Sequence, residues 1–210
     1  MNWANPVIYN KCMHDVDHEY EYFCRLRRIL LPGLINKRWI SSVMINLAAK
    51  RFGNRILEVG CGTGSGILGA YPEKVVGIDV NRYAVDFCCR KGFRACHIVA
   101  GRPYPFSNGS FDVCVLDNVL EHIEDPGQTI DECLRVTTGT GGMIVVVPGE
   151  KGYAVDPDHR KYYATENLMR LDSRLQLVKL FSLPFIFKSS TISSVFASYC
   201  LAAVYRKKQR

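Results

Sequence analysis

The sequence predicts a doubly wound α/β fold, a largely parallel sheet covered by helices on both faces. Three observations predict it. From Arg55 onward, short apolar runs alternate with helical stretches, the pattern of strand–helix–strand units. The runs "FDVCVL" and "MIVVV" are apolar on successive rather than alternate residues, which marks strands buried on both faces. Finally, "ILEVGCGTGSG", Ile56 to Gly66, places glycines at 60, 62, 64 and 66 directly after the first apolar run, where a strand would turn into a helix beside a ligand.

The elements follow in order. Residues 1–52 carry no strand signal and read as an N-terminal helical cap, leaving 53–210 as the main domain. In "HEYEYFCRLRRILL", Tyr22, Leu26, Ile29 and Leu30 share one helical face; Pro32-Gly33 breaks that helix, and Arg38–Lys50 repeats the amphipathic pattern. Strands are expected at Arg55–Val59, Lys74–Ile78, Arg94–Val99, Phe111–Leu116 and Met143–Val147. Helices are expected at Gly64–Ala70, Tyr83–Lys91 and Pro126–Val136, the last with Asp125 as N-cap and Pro126 at the first helical position. Thr165 can cap a helix running to Leu171. Two closing runs, Leu175–Phe181 and Val195–Tyr205, are joined by the apolar connector "SLPFIFKSSTISS".

Composition narrows the function classes. The 210 residues carry a net charge of +7, but the clearest basic cluster is the terminal "RKKQR", read as a solvated tail. Nucleic acid is therefore not expected as a partner. The nine cysteines are odd in number and none are spaced Cys-x-x-Cys, so a reducing cytoplasm is expected rather than a disulfide framework, and no metal site is read. The opening residues lack the apolar segment of a secretory signal.

The glycines admit two readings. Gly64-Ser65-Gly66-Ile67-Leu68-Gly69 matches G-x-G-x-x-G, the dinucleotide fingerprint, but begins five residues past the strand end at Val59. Asp79 lies only fifteen residues beyond Gly64, yet nineteen beyond Gly60, close to the ~20 expected for a ribose-binding acid. The working register is thus Glu58-x-Gly60-x-Gly62-x-Gly64. A phosphate loop needs Gly-Lys-Ser/Thr, and no lysine occurs from Arg55 to Glu73. Flanking acids without an anion partner suit a ligand that carries a ribose and a positive charge.

"ILEVGCGTGSG", "VVGIDV" and "PYPFSNGSFDVCVLDNVLEHIEDP" together resemble the class I S-adenosylmethionine (SAM)-dependent methyltransferases, and most closely the small type 11 group that includes quinone and natural-product methyltransferases. The resemblance runs from about Arg55 to Arg206. It implies a Rossmann-like seven-stranded sheet in the order 3-2-1-4-5-7-6 with strand 7 antiparallel, and SAM as cofactor. By the same resemblance, Glu58, Gly60, Cys61, Gly62 and Gly64 lie along the methionine part, Asp79 accepts the ribose hydroxyls, Val80 packs on adenine, and Asp117 with Asn118 lies near the methionine amino group. One departure stands out: Ala100 and Gly101 fall where the family commonly carries an acid for the adenine amino group.

Methyl transfer from a sulfonium expels a neutral leaving group, so alignment and desolvation carry most of the catalysis. An oxygen or nitrogen acceptor can require a base, and His122 and His159 are the candidates. His14 and His18 would reach the pocket if their helix folded over it as a lid. The expected acceptor is a small molecule, a sugar or a lipid-linked precursor; the alternative is a non-catalytic SAM-binding or partner-binding module. The apolar 183–187 segment beside the basic C-terminus suggests peripheral membrane contact. Oligomeric state is left open.

Overall fold

The computed structural model describes residues 19–25, 32–183 and 199–209. Seven strands form one sheet: β1 (Ile56–Val59), β2 (Val75–Asp79), β3 (Ala95–His97), β4 (Phe111–Asp117), β5 (Thr137–Pro148), β6 (Leu175–Leu183) and β7 (Cys200–Lys207). Their order is β3-β2-β1-β4-β5-β7-β6. The first five strands pair in parallel, whereas β7 runs antiparallel between β5 and β6. The expected topology is thereby observed.

The helices are α1 (19–25), α2 (Pro32–Ala49), α3 (Ile67–Ala70), α4 (Arg82–Arg90), α5 (Gly127–Val136), α6 (Glu150–Val155) and α7 (Thr165–Met169), with a 3₁₀ turn at Leu120–His122. Successive residues of the central strands enter opposite cores. Leu57, Cys114, Leu116, Val145 and Ala203 pack toward α5 and α7, while Ile56, Val113, Val115, Ile144 and Val204 pack toward α2 and α3. That two-sided burial is why these strands read as unbroken apolar runs. Ile45 and Ala49 of α2 are fully buried in the second core, so this helix covers a sheet face.

Several local expectations shift. α2 starts at Pro32, ahead of the expected Arg38, since proline needs no N–H in a first turn. The residues Leu26, Ile29 and Leu30, placed on the first helical face, lie outside the described residues, as do His14, His18 and residues 184–198. Gly66 precedes α3 as its N-cap. Pro126 rather than Asp125 is the N-cap of α5, although the Asp125 carboxylate still accepts the Gly127 N–H at 3.0 Å. β5 begins six residues early, because its polar, glycine-rich start pairs with Phe111 across a register shift. Helix α6 is unanticipated, its six residues being too short to show a periodicity.

The basic terminus is not simply a solvated tail. Arg206 and Lys207 belong to β7, and the Lys207 ammonium donates to the Leu134 and Thr137 carbonyls at 2.7 and 3.3 Å, where the C-terminal end of α5 attracts a cation. Leu183, the first residue of the proposed membrane segment, is buried in the core, and 184–187 lie outside the described residues. Among the described residues no helix is long and apolar enough to cross a membrane.

Candidate active site

The chain leaves β1 toward β2 on one side, while β4 lies on the other. This reversal opens a crevice beyond the carboxyl ends of the strands, where α/β sheets bind ligands. A cavity of about 820 Å³ occupies it.

Its floor is the loop after β1. Gly60, Gly62 and Gly64 all have positive φ, at 71°, 51° and 70°. At Gly60 a Cβ would lie 2.5 Å from a Val119 methyl, and at Gly64 2.9 Å from the Phe93 ring. The glycines therefore permit both a left-handed backbone and tight packing. Gly60, Cys61 and Gly62 line the cavity, whereas Gly64 packs behind the wall.

Asp79, at the tip of β2, is 7% exposed and lines the cavity. It accepts the N–H groups of Gly62 at 2.7 Å and Asn81 at 2.8 Å. Burial pushes its pKa upward, against these amide bonds and the charge of His97. Beside it, Val80 is 50% exposed, an apolar surface facing the cavity with Val99 and Ala100. Gly101 completes this wall, and its carbonyl accepts the Gln128 side-chain amide at 2.9 Å.

Glu58 departs from its expected place. The residue is 2% exposed and does not line the cavity. Its two oxygens accept the N–H groups of Ile67 and Leu68 at 3.3 and 2.8 Å, at the start of α3 where orphan amides and the helix dipole favour an anion. Glu58 thus holds the glycine loop from behind.

On the opposite wall, Asp117 ends β4. Asn118 follows with φ 56°, the single positive-φ residue other than glycine among the described residues, and donates its side-chain amide to the Asp117 carboxylate at 2.7 Å. Strained backbone of this kind concentrates at functional sites. Asp79, Asp117, Asp156 and Asp158 all face the cavity, which makes it a receptor for positive charge.

The mouth is crossed by α1, whose Tyr22 was not among the expected site residues. The Glu19 carbonyl accepts the Asn81 amide at 2.8 Å, and Arg25 pairs with Asp158. Between these ties Tyr22 lines the cavity. Burial, and then the Asp79, Asp156, Asp158 and Glu121 charges, push its phenol up to about 12, so it faces the cavity as a neutral hydroxyl.

His122 and His159, far apart in sequence, come together with ring centroids 4.7 Å apart and both line the cavity. Their Nδ1 atoms meet backbone carbonyls, His122 that of Asp158 at 3.3 Å and His159 that of Tyr153 at 2.8 Å. Those contacts assign the proton to Nδ1 and leave an Nε2 lone pair on each ring. Burial and the neighbouring His159 lower the His122 pKa. Beneath them sits Glu121, fully buried.

A family model described as a methyltransferase domain matches residues 57–146, the segment that builds the glycine loop, Asp79 and Asp117. Over that segment the chain is similar to the class I SAM-dependent methyltransferases. It is 31% identical over 126 residues to a probable SAM-dependent methyltransferase of Mycolicibacterium smegmatis, covering 56% of this chain and 49% of that protein. It is 30% identical over 132 residues to an uncharacterized 37.1 kDa protein in a Streptomyces fradiae transposon, covering 58% of this chain and 38% of that one. The chain therefore spans half or less of the length of these two relatives. In three dimensions it resembles a SAM-dependent methyltransferase of Thermotoga maritima described as a possible histamine N-methyltransferase, with a TM-score of 0.66, 18% identity, and coverage of 91% and 99% of the two chains. At that identity the likeness shows the shared fold. The cavity fits a ligand with a ribose, a flat base and a cation, because a buried carboxylate, an apolar wall and acidic side chains converge on it.

Proposed function

We propose that this chain transfers a methyl group from SAM to a small-molecule acceptor enclosed beneath α1. The observation that carries the reading is Asp79, a buried carboxylate whose two oxygens are fixed by backbone amides at the edge of an acidic cavity. Each oxygen retains a lone pair, and a paired acceptor suits a ribose diol. Val80 and Val99 cover the adenine face, with Gly101 and Gln128 at its edge in place of an acid. The loop at Gly60 and Gly62 follows the methionine part, and Asp117 with Asn118 holds its ammonium end. Bound SAM supplies the methyl group on a sulfonium.

The acceptor lies between Tyr22, His122 and His159. Its nucleophilic lone pair forms the bond to the methyl carbon as the carbon–sulfur pair returns to sulfur. Alignment in a closed site is the main contribution of the chain. An acceptor hydroxyl must also lose its proton, and both imidazoles line the cavity with an Nε2 lone pair available. They can take that proton directly or ligate an ion that acidifies it.

A second reading, a SAM-binding module without turnover, is favoured by Ala100 and Gly101 standing where the adenine acid is expected. Calorimetry with SAM and its demethylated product tests both. Saturable binding that Asp79→Ala weakens is expected; absence of binding near millimolar ligand would sink both readings. Binding without transfer to any of a panel of hydroxyl and amine acceptors would select the second.

A further inference from the structure

Among the described residues three buried side chains carry unsatisfied polar atoms, Asn46, Tyr163 and Glu121, and Glu121 alone of these is ionisable to a carboxylate. It is fully buried, and neither carboxylate oxygen has a hydrogen-bond partner. A buried carboxyl in this state costs free energy unless a proton or a cation compensates it. The Nε2 of His159 lies 3.9 Å from its Oε1, and the Asp156 carboxylate lies 3.9 Å from the same nitrogen. One donor atom from each of Glu121, His122 and His159 falls within 4.8 Å of the others.

We propose that Glu121, His122 and His159 form a binding site for a divalent transition-metal ion, with Asp156 close enough to act as a fourth ligand. Two imidazoles and a carboxylate are the donor set of zinc and ferrous iron rather than of magnesium or calcium. The rings are already oriented for it. Each Nδ1–H is held by a backbone carbonyl, the outer-shell bond that ligating histidines characteristically make. Tyr153 stacks on His159 at 5.3 Å and 14°, fixing that ring's plane. Ligand atoms around one ion at about 2.0–2.2 Å lie roughly 3–4 Å apart, so side-chain rotations of about an ångström close the site.

Position gives the ion a use. Both histidines line the cavity while Glu121 sits behind them, so the open coordination positions face the acceptor. A hydroxyl bound there loses its proton to solvent more readily, as metal-bound water does. This use rests on the methyl-transfer reading; the binding of the ion does not.

The test uses the full chain after chelator treatment, titrated with Zn²⁺ by calorimetry and with Co²⁺ by absorption. One Zn²⁺ per chain at micromolar affinity or tighter is expected, with a cobalt spectrum lacking thiolate charge transfer. His159→Ala and Glu121→Gln should each weaken Zn²⁺ binding by at least about 10–100-fold. SAM affinity and thermal melting of each variant, measured alongside, report whether it is folded. Pulsed EPR of the Cu²⁺-loaded wild type needs no variant, and modulation from two imidazoles is expected. No saturable binding below millimolar Zn²⁺, a thiolate signature, binding indifferent to both substitutions, or no imidazole modulation would each overturn the site. Zn²⁺ binding without SAM binding would support the site while sinking the methyl-transfer reading.

Discussion

The carboxylate of Asp79 accepts the amide of Gly62 at 2.7 Å, so the acid at the end of the second strand shapes the glycine loop at the end of the first. On the proposed reading Asp79 serves loop and ligand together. Asp79→Ala should weaken SAM by about 10–100-fold, the scale of losing one or two hydrogen bonds to a charged group. Titration calorimetry reads it. An unchanged affinity would remove Asp79 from the ribose site.

Glu58 is expected to behave oppositely. Glu58→Ala strips the partners from two amides at the start of α3, and a melt should show about 1–3 kcal/mol lost per unsatisfied buried group. Among variants that remain folded, SAM affinity should change less than in Asp79→Ala.

Gly60→Ala forces a methyl group to within 2.5 Å of Val119 at a φ of 71°. Strain and overpacking together should cost about 1–3 kcal/mol. Denaturant unfolding measures it, and a neutral result would show that Val119 moves aside freely.

Burial raises the Glu121 pKa from an ordinary 4.5 to about 8, with the Asp117 and Asp156 charges adding to the rise. A carboxyl raised on folding contributes stability that is complete below its unfolded pKa and is lost as pH climbs through the folded value. The metal-free protein should accordingly lose stability between about pH 4.5 and pH 8. Glu121→Gln should flatten that slope, leaving the part due to Asp79, raised in the same sense, and an opposing part from His122, whose pKa is lowered. Melting temperatures across this window in both proteins check it.

Arg25→Ala breaks the tie between α1 and Asp158. The pair is partly exposed, so global stability should change by less than about 1 kcal/mol. Hydrogen exchange near Arg25 should nevertheless quicken, while the packing of Phe23 on Tyr83 and Phe87 and the Asn81 bond to Glu19 keep the rest of the helix docked.

The fold was legible because its signals are local. Buried parallel strands must be apolar on both faces, so "FDVCVL" and "MIVVV" announced themselves, and the spacing from Gly60 to Asp79 followed from one strand–helix–strand unit. The early start of β5 was not legible, since Thr137 to Gly142 carry no apolar pattern and pair only because β4 lies alongside. Glu58 shows the limit within a motif. Its position before the glycines was plain, but which way the carboxylate turns depended on where α3 begins.

By itself the sequence determined the strand order, through a resemblance carried by motifs, and singled out Gly60, Gly62, Asp79 and Asp117, which line the cavity because they lie at or beside strand ends. The sequence named His122 and His159 as candidate bases, and tertiary structure alone decided that they meet, with Tyr22 and Glu121 beside them. Glu121 and His122 follow β4, His159 follows α6, and Tyr22 comes from α1, so no spacing relates them. Only the packing of α1 and α6 over the carboxyl ends of the sheet brings these groups to one cavity. Burial then makes their chemistry unlike that of the free side chains, raising a carboxyl and lowering an imidazole, because a water-poor wall disfavours charge.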